Sequence, residues 1–406
     1  MNSSDHNEYV STLVKEVNSA TAALDKADVF GDNNARMKAL EASKKLTRAL
    51  ETPMDVIFDH AVTDLPTNMC LRMGVDLQIF RNICASGDNP STAKSLAASA
   101  DADYILVVQI LRVLSATGHV KEIGVERYKA SALTKALTDP LIESSVKICF
   151  DIGNLCVAKA PEFFRRKGFK YPTTSSDTPF QLAFNTDMDY FPYADKHGMT
   201  KDFHAWMELN QRGKPNWVDW FPIQRQLIDG FDAKQSDVLL IDIGGGQGKY
   251  LKLFKEKFLD APGRLILQEL PYAVEAARLN KNDGIEGVPY DFFTPQPVKG
   301  ARTYFLHWVL HDWSDEQASK ILQNIVAAMT PNYSKLIINE SVLPDENCPM
   351  GYASMGIMMM TQLASLERSQ KQWNELLEKV GLQVVKFHEP PVSGIPGEGV
   401  IEAVKV

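Results

Sequence analysis

The stretch Leu239-Leu240-Ile241-Asp242-Ile243-Gly244-Gly245-Gly246-Gln247-Gly248 reads as a buried strand that breaks into a glycine turn and then opens a helix. Glycine has no side chain to block a ligand, so such a turn lets backbone come within contact distance of a cofactor at a helix N-terminus. Gly244, Gly246 and Gly248 fall at alternate positions, with Gly245 as an extra. The dinucleotide fingerprint needs glycine where this chain has Lys249, so the turn departs from that pattern.

From this turn toward the C-terminus, strand-like runs at 238–243, 265–268, 287–290, 303–305 and 335–339 alternate with helical patterns. Such alternation implies a mainly parallel sheet covered on both faces. Two last runs, 383–389 and 399–404, are separated by a Pro/Gly-rich turn too short for a helix, and are expected to form an antiparallel hairpin at the sheet edge.

Toward the N-terminus the patterns are helical. Val10, Leu13, Val14 and Val17 recur at helical spacing, as do Met37, Leu40, Leu46 and Leu50, and Thr52-Pro53 ends the second stretch. Residues 92–97 and 102–117 read as a short and a longer helix, the latter with Ile105, Val108, Leu111 and Val113 in its apolar set and Gly118 as its stop. A hairpin at 120–128 completes a winged-helix pattern. A DNA-reading helix needs basic and polar side chains. This one carries Asp103 and a single Arg112 among mostly Ile, Leu and Val, so it reads as a packing or subunit-contact element.

The expected organisation is α/β. A mainly helical, winged-helix domain spans 1–150, a connector rich in aromatics spans 151–235, and a doubly wound Rossmann-like domain spans 236–406. The aromatics of the connector suit a core or the wall of a pocket for a flat apolar substrate. The 406 residues and 45% hydrophobic content agree with two domains. A net charge of -8 without long single-sign runs argues against a nucleic-acid partner. Residues 1–25 are polar and lack the apolar core of a secretory signal, and no run is long enough to span a membrane. Five cysteines without a C-x-x-C pair suit a reducing, cytoplasmic setting.

In doubly wound sheets ligands sit outside the carboxyl ends of the strands, so residues that follow strands are the site candidates. Glu269 ends the second strand, where a carboxylate can accept both hydroxyls of a ribose. Asp291-Phe292-Phe293 follows the third, where an acid beside an aromatic suits adenine, although either Phe could equally be core. After the fourth comes Leu306-His307-Trp308-Val309-Leu310-His311-Asp312-Trp313-Ser314-Asp315.

The run His311-Asp312-Trp313-Ser314-Asp315, together with the glycine turn, resembles the S-adenosylmethionine-dependent small-molecule O-methyltransferases of the caffeic-acid type found in plants and fungi. The resemblance covers nearly the whole chain. Phe203-x-x-x-Met207, Arg212-Gly213-Lys214-Pro215 and Trp220-Phe221-Pro222 are similar to the fungal branch. Asn339-Glu340-Ser341-Val342-Leu343-Pro344 and Glu367-Arg368-Ser369 match the two later acidic motifs.

This resemblance implies S-adenosyl-L-methionine as cofactor, held by Asp242, Gly244, Gly245, Gly246, Glu269, Asp291, Phe292 and His307. It implies His311 as general base on the substrate hydroxyl, with Glu340 and Glu367 fixing its tautomer and stabilising its protonated form. Phe203, Met207, Trp313, Met358 and Gln362 fall where the family contacts substrate. The winged-helix part matches the family's dimerisation domain, so a homodimer is expected.

The chemistry wants such a set independently. A phenol or enol is a poor nucleophile until its proton leaves, and histidine titrates near neutrality. A methyl on a sulfonium needs no further activation, so in-line positioning with water excluded is the main task. No His/Asp cluster has metal-ligand spacing, and no metal is expected. Two positions depart from the family. His307 stands where lysine or arginine is usual, which suggests weaker or more pH-dependent cofactor binding, and Met355 stands where an acid is frequent. Some fungal proteins of this fold use the sulfonium only as a fixed charge, in dehydration or pericyclic cyclisation. Those would be expected to carry a basic residue other than histidine at 311, or to lack the glutamates. His311, Glu340 and Glu367 are all present, which favours methyl transfer.

Overall fold

The computed structural model describes residues 3–24, 33–279, 284–390 and 398–406. The chain divides into two compact units, Met1–Ile152 with His197–Arg212, and Gly153–Lys196 with Gly213–Val406.

In the first unit, helices Ser3–Leu24 and Asn33–Leu50 pack on each other and bury Leu13, Ala39 and Ala42. Thr52 ends the second helix and at once caps the next, Pro53–Phe58, through a capping box with Asp55. A small antiparallel sheet of order β1-β3-β2 is built from β1 (Ser91–Thr92), β2 (Val120–Gly124) and β3 (Arg127–Ala130). Thr92 caps helix Ala93–Ser99 and Asp103 caps helix Tyr104–Ala116. The longer helix buries Val107, Val108, Ile110, Leu111 and Leu114. Ile105, expected in that set, lies in the first turn outside the buried face and is exposed. Helix Thr200–Gln211 packs against helix Pro140–Ile148, and Arg212 Nη1 bonds Asp139 Oδ2 at 2.6 Å. Residues 197–212, part of the aromatic-rich connector in sequence, therefore belong to the first unit.

The second unit holds a seven-stranded sheet: β4 (Val238–Ile243), β5 (Arg264–Glu269), β6 (Ile285–Pro289), β7 (Thr303–His307), β8 (Lys335–Ser341), β9 (Leu382–His388) and β10 (Glu398–Lys405). Its order is β6-β5-β4-β7-β8-β10-β9. The β4–β5, β4–β7, β5–β6 and β7–β8 pairs are parallel, whereas β10 runs antiparallel to both β8 and β9. The expected terminal hairpin is present, with its second strand inserted beside β8 and its first at the edge. The Pro/Gly-rich turn between them falls at 391–397, outside the described residues.

Every residue of β4 is buried, as a central strand covered on both faces requires. One face packs Ile241, Ile243, Leu306 and Ile338 with Ile321, Leu322 and Trp373 of helices Asp315–Ala328 and Gln370–Lys379. The other packs Leu240, Leu267 and Phe305 with Trp217, Tyr250 and Phe254. From β4 the chain builds outward through β5 and β6, then returns to β7 on the opposite side. The carboxyl end of β4 is thus a topological switch point, where such sheets bind ligands. Among the described residues no helix is long and apolar enough to cross a membrane.

Candidate active site

At that switch point Gly244, Gly246 and Gly248 all take positive φ, at 72°, 56° and 72°. A Cβ on Gly244 would come within 2.9 Å of Val309, and one on Gly245 within 2.4 Å of the Asp242 carboxylate. Glycine here is a condition of close packing as well as of backbone angle. Gly248 begins helix Lys249–Lys257. Glu269 Oε1 accepts from the backbone N–H of Gly246 at 3.1 Å and Oε2 from that of Leu270 at 2.8 Å, so the carboxylate leans over the turn. Asp242 lies beneath it, fully buried, and neither of its oxygens finds a hydrogen-bond partner among the described residues. Burial, then the charge of Glu269, pushes its carboxyl up to about 7.

Beside the turn stands the ring of Phe292, with Cε1 3.9 Å from the position of a Gly244 Cβ. Phe292 and Phe293 pack edge-on against each other and against Trp313, with centroids 4.9–5.8 Å apart. Trp313, expected to contact substrate, thus packs on Phe292, expected to hold the cofactor, and on Phe293. Asp291 is exposed, and its Oδ1 accepts from the N–H of Phe293. Gln268 and Gln296, both fully buried, exchange two amide hydrogen bonds of 2.7 and 2.8 Å, and the Gln268 carbonyl accepts from the N–H of Gly244. Through Gln268 the glycine turn and the loop after β6 share one anchor.

Past β7 the chain turns sharply at Trp308, whose φ of 50° is left-handed, and makes one short 3-10 turn, Leu310–Asp312. Glu340, fully buried at the end of β8, holds that turn. Its Oε1 accepts from the N–H of Val309 at 3.0 Å and of Leu310 at 2.8 Å. The turn presents His311 to Glu367, with Nδ1 2.9 Å from Oε1. Asp312 Oδ1 lies 3.5 Å from Nε2 and Glu340 Oε2 3.9 Å from Nδ1. Burial alone would lower the imidazole, but Glu340, Asp312 and Glu367 outweigh it and push His311 up to about 10. Burial, with Glu367 and Asp312 adding to it, pushes Glu340 up to about 7. Asp312 is raised for the same first reason.

Sequence reasoning left Arg368 without a role, although its motif was visible. Fully buried, it donates from Nη1 to the Leu310 carbonyl and from Nη2 to that of Trp313, both at 2.8 Å, and from Nε to Asp315 at 2.9 Å. It braces the His311 turn from behind. His307 is also buried; its Nε2 lies 3.0 Å from Glu398 Oε2 and its ring 4.2 Å from that of Tyr250. Burial lowers its imidazole, against Glu398. Met358 and Gln362 lie one turn apart on helix Met350–Leu363, with the Gln362 amide 4.0 Å from the Met358 sulfur. That helix also passes Glu367, whose Cβ is 3.9 Å from where a Gly356 Cβ would stand. Phe203 and Met207 are half-buried on helix Thr200–Gln211 of the first unit; all other expected site residues are in the second.

A glycine turn and a strand-end carboxylate at the switch point, followed by a histidine bonded to a buried carboxylate, define a group-transfer enzyme of the nucleoside-cofactor class. Residues 180–383 match the model of the O-methyltransferase domain family, and the chain belongs to that family. It is 35% identical to Methyltransferase cfoC of Aspergillus candidus over 87% of both chains. It is 36% identical to demethylsterigmatocystin 6-O-methyltransferase of Aspergillus parasiticus over 78% of this chain and 80% of that one. Among solved structures, LepI in complex with SAM superposes with a TM-score of 0.79 at 30% identity, covering 98% of this chain and all of the other. A pericyclic reaction enzyme superposes equally, with a TM-score of 0.78, 30% identity and the same coverage.

Proposed function

We propose that this protein transfers a methyl group from S-adenosyl-L-methionine to a phenolic or enolic hydroxyl of a small secondary metabolite. The observation that carries the reading is the 2.9 Å bond between His311 Nδ1 and Glu367 Oε1.

The residues at the switch point fit the cofactor. The glycine turn leaves no side chain over the end of β4, and each oxygen of Glu269 keeps a lone pair for a ribose hydroxyl beyond the one backbone bond it makes. Asp242 lies buried beneath the turn, with neither oxygen bonded among the described residues. Asp291 and Phe292 would meet the edge and the face of the adenine. When bound, S-adenosyl-L-methionine supplies a methyl group already activated on positive sulfur.

What remains for the protein is to hold the acceptor and move one proton. Nδ1–H of His311 donates to Glu367, which leaves Nε2 to take the hydroxyl proton. Glu367 and Glu340 then stabilise the imidazolium. An ordinary phenol, like tyrosine, titrates at about 10. An imidazole raised to about 10 therefore takes its proton nearly without loss. His307, buried against Glu398, would act on the cofactor side through its neighbours. Met358, Gln362 and Trp313 would shape the acceptor side within the second unit.

The protein is read as a homodimer. Met54, Ile57, Phe58, Val62, Leu65 and Met69 expose large apolar surface on successive helices of the first unit, which supports that reading. The free cysteines support a reducing, cytoplasmic site of action.

One observation favours a second reading. A histidine held above its ordinary value can also serve as a proton donor, as a dehydration or pericyclic reaction would use it, and one similar structure is of a pericyclic enzyme. Incubation of the purified protein with methyl-labelled cofactor and fungal culture extract decides between them. Methyl transfer gives S-adenosylhomocysteine and a product heavier by one labelled methyl. An isomerised or dehydrated product without label overturns it in favour of the second reading.

A further inference from the structure

The indole of Trp308 lies between His307 and His311. It stacks on His307 with centroids 5.2 Å apart and 16° between planes, and its centroid is 6.1 Å from that of His311. Over this indole sits the ammonium of Lys214, 6.0 Å from the ring centroid. Glu398, the partner of His307, and Glu367, the partner of His311, both act on that ammonium, while burial pulls it below the ordinary lysine value. Lys214 is thus a half-buried cation over the indole that lies between His307 and His311.

Charge balance gives it a task. Asp312, Glu340 and Glu367 put three carboxylates around His311, and Glu398 adds a fourth nearby. A hydroxyl that has lost its proton is an anion, and carboxylates in a low-dielectric site repel it. A compact ammonium on a flexible stem suits a single charged oxygen.

We propose that Lys214 holds the anionic oxygen of the acceptor beside His311, and thereby selects acidic phenols and enols. The inference rests on the methyl-transfer reading above. In the step it serves, the acceptor O–H bond breaks and its proton passes to Nε2 of His311. The electron pair stays on oxygen facing Lys214, then forms the O–C bond as the C–S bond breaks onto sulfur. The stabilisation is electrostatic and strongest when the oxygen carries its charge, which is when it accelerates the reaction.

The test uses 4-nitrophenol, whose phenolate absorbs visibly, titrated against protein saturated with S-adenosylhomocysteine. Wild type should lower the probe's apparent pKa by about one unit, a tenfold preference for the phenolate. Lys214→Met should abolish the shift and Lys214→Arg should keep most of it, with S-adenosylhomocysteine affinity unchanged within about twofold in both. An equal shift in Lys214→Met, or no phenolate binding by wild type, overturns the proposal. So does a loss of S-adenosylhomocysteine affinity in Lys214→Met with phenolate binding intact, which would give the lysine to the cofactor. Labelled-methyl transfer in culture extract is read separately, so a failure of the reaction is told apart from a failure of Lys214.

Discussion

Nδ1 of His311 stands 2.9 Å from Oε1 of Glu367, and this one bond decides which ring nitrogen can act as a base. With Nδ1–H engaged, only Nε2 has a lone pair to offer, and its neighbour is Asp312 at 3.5 Å. Glu340 contributes differently. One oxygen is spent on the backbone of the turn that carries His311, so it positions the ring as well as attracting its proton.

His311→Ala should lower kcat by about a thousandfold while leaving the Kd for S-adenosylhomocysteine within about threefold. Glu367→Gln should lower kcat less, about 10- to 100-fold, because an amide still accepts from Nδ1–H but no longer balances the imidazolium charge. Initial rates of S-adenosylhomocysteine release, set beside calorimetric affinities, check both. Unchanged turnover in His311→Ala would remove the base from position 311.

The pH profile follows from the direction of the His311 shift. The neutral imidazole is the active form, so with an ordinary phenol kcat/KM should rise with pH above neutrality and level near 10. In Glu367→Gln one raising carboxylate is gone, and the plateau should begin at lower pH. Stability runs the other way. The folded imidazole binds its proton more tightly than the unfolded one, at about 6.5. Its contribution is complete below about 6.5 and is lost as pH rises through the folded value. Rate profiles of the two proteins from pH 6 to 10 are the measurement; superimposable curves would deny Glu367 its charge role.

Much of this site was legible because it is local. The glycines show themselves by spacing, Glu269 ends a strand whose run is visible in the sequence, and Asp291 and His311 each follow one. Where pairing is non-local, the sequence is silent. The two terminal strands carry similar apolar patterns, so nothing local says that β10, and not β9, lies beside β8. For the same reason no reading of His307 could foresee Glu398, which reaches it from β10. Gln268 and Gln296 are neutral amides whose types carry no signal until the fold brings them together. Nor does any local signal say that the indole of Trp313 packs edge-on against Phe292 and Phe293, which come from the loop after β6.

Asp242→Asn should raise stability and weaken cofactor binding together. The Asp242 carboxyl, at about 7 in the fold, lies above its unfolded value of about 3.9. Between those values the folded chain binds more protons, so wild-type stability falls as pH rises from about 4 to 7. An amide does not titrate, and the variant should lose that slope and gain up to about 4 kcal/mol at pH 7.5, less what it costs to bury the amide. If a cofactor donor meets Asp242, the Kd for S-adenosylhomocysteine should rise about tenfold. Thermal unfolding from pH 4 to 8 checks the first part and calorimetry the second; a slope equal to wild type would count against an unpartnered carboxylate.

Arg368 and Asp315 separate a structural brace from a surface ion pair. Arg368 is fully buried, donates to the carbonyls of Leu310 and Trp313 on either side of His311, and lies over Trp373 with its guanidinium carbon 5.2 Å from the ring centroid. Arg368→Met keeps the volume but strands both carbonyls and the Asp315 bond, at a cost of about 3–5 kcal/mol. Asp315 is 62% exposed at its side chain, so Asp315→Asn should cost no more than about 1 kcal/mol. The two variants remove opposite ends of one ion pair, yet only the first frees the turn that carries the base. Where Arg368→Met remains folded, its kcat should fall with little change in the Kd for S-adenosylhomocysteine, while Asp315→Asn should keep both. Urea unfolding and initial rates on the pair of proteins make the comparison, and equal losses in both would mean that the ion pair, not the bracing of the turn, is what Arg368 contributes.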